Sequence, residues 1–187
     1  MDNKLLLLAA EEVKNAYKLP THNVKSTEWN TGFTLYDGKL IQFIAIAGTN
    51  DITDWLWNIA LVSWDGVKLA SYYSAKRIIK RFERMPDYKL LVCGHSKSGP
   101  TAMYIGKKLK ADYCVGFNPA PGFRKKEKLA NTCIVTDPDD IVHKMGRLNF
   151  NQPDCEKIEM PNDHRGIDLS DHSIDNAIEY FKQKVSI

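Results

Sequence analysis

Short, almost wholly apolar runs alternate with helical stretches along this chain. Residues 40–47 are nearly continuous hydrocarbon and stop at Gly48, the pattern of a strand covered on both faces. Residues 33–36 precede it across Asp37-Gly38, a dipeptide that predicts a hairpin turn. Residues 88–93, 111–117 and 132–136 predict three more short buried strands. Between them the pattern turns helical. An amphipathic first helix ends near Tyr17, and Ile52, Trp55, Leu56 and Ile59 share one helical face over 52–59. A long helix over about 67–84 stops before Pro86, a second follows Gly94 to about Lys110, and a last one covers about 174–184. Strand and helix alternating at this spacing predict an α/β fold, a mostly parallel sheet with helices on both faces.

The length of 187 residues predicts one domain over 1–187, large enough to fold without disulfides or metal. The net charge is +3, from 26 basic and 23 acidic residues, which argues against a nucleic-acid partner. The N-terminal run Leu5–Leu8, Ala9, Ala10 is broken by Glu11 and Glu12, short of a signal-peptide core. No run is long enough to span a membrane, and the expected location is cytoplasmic. Cys93, Cys114, Cys133 and Cys155 show no C-x-x-C spacing. They are expected as free thiols in a reducing compartment, with no zinc site.

Parallel sheets carry their sites beyond the carboxyl ends of the strands. Those ends hold Gly48-Thr49, then Gly94-His95-Ser96-Lys97-Ser98-Gly99, then Asp137-Pro138-Asp139-Asp140. A serine on a tight turn between a buried strand and a helix is lifted above the sheet, with the helix N-terminus behind it favouring negative charge. Ser96 has that setting. The common pattern is G-x-S-x-G; here the fifth position is Ser98, and Gly99 follows it. The bland alternative is a glycine-rich turn with a capping serine.

These residues resemble the class 3 lipases of the α/β-hydrolase superfamily. The family's G-H-S-x-G-G elbow reads G-H-S-K-S-G here, and its upstream R-G-T-x-x-x-x-D-W-L segment reads Ala47-Gly48-Thr49 through Asp54-Trp55-Leu56, with Ala47 in place of the arginine. Its D-x-V-P segment is similar to Asp140-Ile141-Val142-His143, and a late D-H-S segment before an aromatic helix is similar to Asp171-His172-Ser173 with Tyr180-Phe181. The resemblance spans about 40–181.

It implies Ser96 as nucleophile, His172 as base and Asp140 as the acid that orients it, in the chain order of that superfamily. His164 is the rival base and Asp137 the second acid. Asp139 is expected to cap the following turn, His95 to pack away from the site, His143 to lie too close to Asp140 to reach across, and His22 to sit on the surface. The backbone N–H groups of Lys97 and Thr49 would form the oxyanion hole. The Lys97 side chain is expected in solvent, and Gly48-Thr49 has a plain reading as a strand-end turn. The segment with Ile52, Trp55, Leu56, Trp57 and Ile59 resembles a lid helix, and an ordinary core-facing helix is its alternative. Ile59 to Val62 with Trp64 would extend that surface.

The expected function is hydrolysis of a carboxylic ester, of the acylglycerol or related lipid class, through an acyl-serine intermediate without metal or organic cofactor. A phospholipase, thioesterase or amidase on the same residues is the near alternative. A non-catalytic lipid- or protein-binding module that kept the fold is the distant one. The expected partner is a lipid or small ester. The lysines at 107–110 and 124–128 read as solvated faces with a weak pull toward anionic lipid, allowing transient contact with a membrane surface.

Overall fold

In β2 (Lys39–Ile46) the odd positions Ile41, Phe43 and Ala45 face one layer, and the even positions Ile44 and Ile46 the other. A strand so covered must sit between two helical layers, which is why 40–47 shows no polar alternation. The structure, a computed structural model, describes residues 1–18, 28–48, 64–120, 127–140, 153–161 and 172–186, with side chains from Leu69 onward in the third stretch. β1 (Trp29–Tyr36) pairs antiparallel with β2 across Asp37 and Gly38, both at positive φ (50° and 72°) as the tight hairpin turn requires. β3 (Lys89–His95), β4 (Tyr113–Phe117), β5 (Lys128–Thr136) and β6 (Asp154–Glu159) then add in parallel, giving the order β1-β2-β3-β4-β5-β6.

On one face lies α1 (Asn3–Tyr17), packed against the C-terminal helix α4 (Ile174–Val185). Leu5, Leu6, Ala9, Val13, Ile178 and Phe181 fill this layer against Phe43, Leu91, Val115 and Val135. The opposite face carries α2 (Trp64–Arg81) and α3 (Ser98–Leu109), with Ala75, Ile78, Ala102 and Ile105 against Ile44, Leu90 and Val92. Asp2 caps α1 by accepting from the Leu5 N–H at 2.9 Å, and Ser173 caps α4 by accepting from the Asp175 N–H at 3.2 Å. The Leu5–Leu8 run is therefore a capped core helix in this fold.

Several elements differ from the sequence reading: β1 and β5 each begin four residues earlier, at Trp29 and Lys128, where polar residues interrupt the apolar run, and α2 runs from Trp64 to Arg81 instead of 67–84. β3 continues through Gly94 to His95, because that stretch still pairs with β4. β6 is an additional strand. Its Asp154, Glu156, Lys157 and Glu159 are exposed, so an edge strand of this kind carries none of the apolar signal of the central ones.

All four cysteines are free. Burial pushes the Cys93 thiol well up, Cys114 and Cys133 to about 12, and Cys155 to about 11, so they stay protonated and unreactive near neutral pH. Among the described residues no helix is long and apolar enough to cross a membrane, and no His, Cys, Asp or Glu group is arranged to hold a metal.

Candidate active site

The carboxyl ends of β2, β3 and β5 bring Gly48, Ser96 and Asp140 to one edge of the sheet. Ser96 follows β3 directly and has φ 56°, a left-handed conformation that an L-residue adopts at a cost of about 1–2 kcal/mol. Backbone bonds hold it there. Its N–H donates to the Phe117 carbonyl at 2.9 Å, and its carbonyl accepts from the Gly99 and Ala120 N–H groups at 3.0 Å each. A side chain at Gly94 would meet the Ser98 carbonyl at 2.6 Å, and one at Gly99 would run into Pro119. The glycines are therefore needed at 94 and 99, and position 98 accepts a buried serine. Lys97 occupies the N-cap of α3 without capping it through its side chain; in the first turn the Gly99 N–H is taken by the Ser96 carbonyl.

After β5 the chain turns within three residues. The Asp137 carboxylate accepts from the Asp139 N–H at 3.0 Å, and the Asp137 carbonyl accepts from the Asp140 N–H at 3.2 Å. Asp137 is itself fixed, its N–H donating to Asn118 Oδ1 at 2.8 Å. The turn is thus closed by the Asp137 side chain; the following turn, which Asp139 is expected to cap, lies outside the described residues. Asp140 emerges fully buried, and its Oδ2 lies 2.5 Å from Nδ1 of His172, also buried, just before α4. Thr49, the residues Ile52, Trp55, Leu56, Trp57 and Ile59, and His22, His143 and His164 lie outside the described residues.

His95 packs, as the sequence suggested, and it packs against the site: its ring is buried with its centroid 4.7 Å from that of His172. Its Nδ1 meets the Tyr17 hydroxyl at 2.6 Å, and the same hydroxyl accepts from the Gly48 N–H at 2.8 Å. The Tyr17 hydroxyl thus joins the Gly48 N–H to the His95 ring. Burial, and then the neighbouring His172, push the His95 pKa well below its ordinary 6.5 and keep the ring neutral. Burial also raises the Tyr17 phenol. Any Cβ at Gly48 would strike the Tyr17 hydroxyl and come within 3.0 Å of Ser96 Cβ, so β2 approaches the elbow as closely as glycine allows.

Tyr17 was invisible in the sequence, where it reads as the last aromatic residue of an amphipathic helix. Lys97 corrects the sequence reading. It is half-buried, and burial lowers its pKa while the Glu28 charge opposes that shift. Glu28 in turn is raised by burial.

No protein-family model and no curated protein sequence matches the chain. Solved structures do. The Lip2 lipase of Yarrowia lipolytica superposes with a TM-score of 0.58 at 12% identity, over 90% of this chain and 82% of that one. A deletion mutant of the Rhizomucor miehei lipase propeptide complex gives 0.57 at 16% identity over 96% and 74%. A triacylglycerol lipase described as having a serine-protease triad gives 0.53 at 14% identity over 86% and 80%. At these identities the likeness is one of fold: the chain has a lipase-like α/β-hydrolase fold.

Proposed function

We propose that this chain is a single-domain serine hydrolase that cleaves carboxylic esters, of the lipid-ester class, through an acyl-serine intermediate. The observation that carries this reading is the buried Asp140–His172 hydrogen bond at the same sheet edge as a serine held at positive φ. A carboxylate on Nδ1 fixes the imidazole tautomer and directs Nε2 to act as base.

In this reading Ser96 Oγ attacks the ester carbonyl while its proton passes to His172 Nε2. Asp140 stabilises the imidazolium that forms. The carbonyl oxygen gains negative charge beside the Lys97 N–H at the start of α3, with Thr49 as the second donor. Collapse of this intermediate breaks the bond to the alcohol, which leaves with the proton from His172. Water then repeats the sequence on the acyl-serine, giving the acid and restoring Ser96. The 52–59 segment would cover the acyl chain as a lid. The lipase-like fold supports a lipid ester as the substrate class.

Turnover of p-nitrophenyl esters from acetate to long acyl chains tests this. The wild type should hydrolyse at least part of the series, and Ser96→Ala should fall to background. A folded wild type inactive on every chain length, or an active Ser96→Ala, overturns it.

A further inference from the structure

The described part of α2 inverts the usual rule for a surface helix. It buries the small residues Ser71, Ser74 and Ala75 together with Ile78. Its large side chains point outward: Leu69 is 55% exposed, Tyr72 45% and Tyr73 57%. Leu69, Tyr72, Tyr73, Lys76 and Lys80 fall at i, i+3, i+4, i+7 and i+11, one continuous exposed stripe that is apolar and aromatic at one end and cationic at the other.

α3 completes the face. The Tyr72 ring meets Tyr73 on its own helix and Tyr104 across on α3, and Lys76 Nζ lies 5.4 Å over Tyr72. Between the helices runs a groove of about 570 Å³. Ala75, Ile79 and Tyr104 give it a carbon floor; exposed Lys76, Lys80, Lys107 and Lys108 line it. Charge is segregated on the same face. Residues 69–81 and 98–110 hold seven Lys and Arg and no Asp or Glu, a net +7 in a chain of net +3. The remainder is therefore net −4. Glu127 pairs with Lys107 from outside the two helices.

We propose that this α2–α3 face is a docking surface for anionic phospholipid at a membrane. Lysines on flexible stems reach phosphate while their methylenes lie on carbon, and tyrosines settle at the boundary between headgroup and hydrocarbon. A lipid surface presents hydrocarbon beneath a layer of negative charge, which matches a carbon floor flanked by lysines. An extended acidic peptide would satisfy the lysines but lay unpaired backbone N–H and C=O groups on Ala75 and Ile79. The surface is separate from Ser96: Lys107 lies nine residues along α3 from Ser98, about 14 Å at the helical rise. It does not depend on the hydrolytic reading.

The test uses the full chain carrying Ser96→Ala, so that no lipid is cleaved. Co-sedimentation is measured with vesicles of phosphatidylcholine alone and with about one third phosphatidylglycerol. Binding to the anionic vesicles should be at least about tenfold tighter and should weaken as salt rises. A lysine at such a surface is worth about fivefold, so Lys76→Gln with Lys80→Gln should weaken binding roughly thirtyfold. Lys108→Gln should weaken it about fivefold, and Tyr72→Ser should weaken it as well. Lys39→Gln, on the β1–β2 hairpin and outside the groove lining, should bind as the parent does. All of these positions are exposed, and circular dichroism checks each fold. Equal binding to both vesicle types, no binding, parental binding by the double variant, or capture of polyglutamate in place of vesicles would each overturn the proposal.

Discussion

Tyr17 and His95 stand 78 positions apart in the chain and meet at 2.6 Å beneath the Ser96 turn. The contact ties three elements together. α1 supplies the hydroxyl, the segment just after β2 supplies the Gly48 N–H that it accepts from, and the end of β3 supplies the imidazole whose Nδ1 it meets. His95 then lies against His172. The hydroxyl thus sets the position of the strand end that leads into Thr49 and of the ring that backs the proposed base.

Tyr17→Phe removes that oxygen and leaves the Gly48 N–H and His95 Nδ1 without it. Stability should fall by about 1–3 kcal/mol, the cost of stranding buried polar groups. If the strand end helps to place the oxyanion donors, kcat should fall by roughly tenfold or more while KM stays within about twofold. Steady-state kinetics with thermal unfolding separate the two effects. A destabilised variant with wild-type kcat would confine Tyr17 to packing.

His95 gives the fold a pH dependence whose sign follows from its burial. Its folded pKa lies well below the unfolded value of about 6.5, so the unfolded chain binds the extra proton first. The stabilisation is complete above that unfolded value and is lost as pH falls from about 6.5 toward the folded pKa. Urea midpoints should therefore decline through this window, and His95→Gln should flatten that part of the decline. An unchanged slope in a folded His95→Gln protein would place the acid sensitivity elsewhere.

In the proposed mechanism the two carboxylates after β5, Asp137 and Asp140, have different roles. His172→Ala should cost nearly as much turnover as Ser96→Ala, on the order of 10⁶, and Asp140→Asn on the order of 10⁴. Asp137→Asn keeps an oxygen for the Asp139 N–H, and its turnover should stay within roughly tenfold of wild type. Kinetics on folded variants decide the matter. A crippled Asp137→Asn beside an active Asp140→Asn would reverse the carboxylate assignment.

Much of this arrangement was legible in the chain because it is written in local patterns. The continuous apolar run at 40–47, the Asp37-Gly38 turn and the Gly94–Gly99 elbow each carry their structural meaning within a few residues. Ser96 could be found because an elbow needs glycine where strand and helix crowd, and the contacts at Gly94 and Gly99 show that crowding. β6 was not legible, since an exposed edge strand has no reason to be apolar. Neither was Tyr17, whose value lies in two partners far away in sequence. The packing role of His95 was legible beside Ser96, but its partners Tyr17 and His172 were not, because both lie far away in sequence. The pairing of Asp140 with His172 spans 32 positions and came only from the resemblance, not from periodicity.

The most direct measurement is the site of covalent capture by a fluorophosphonate. The reagent reacts with a serine only where a neighbouring base has made the hydroxyl nucleophilic. Peptide mass spectrometry of the labelled wild type should place the adduct on Ser96, and Ser96→Ala should take up none. His172→Ala, with Ser96 intact, should label far more slowly. An adduct on another residue, labelling that persists in Ser96→Ala, or a folded wild type that takes up no reagent would contradict a nucleophile at the β3–α3 elbow.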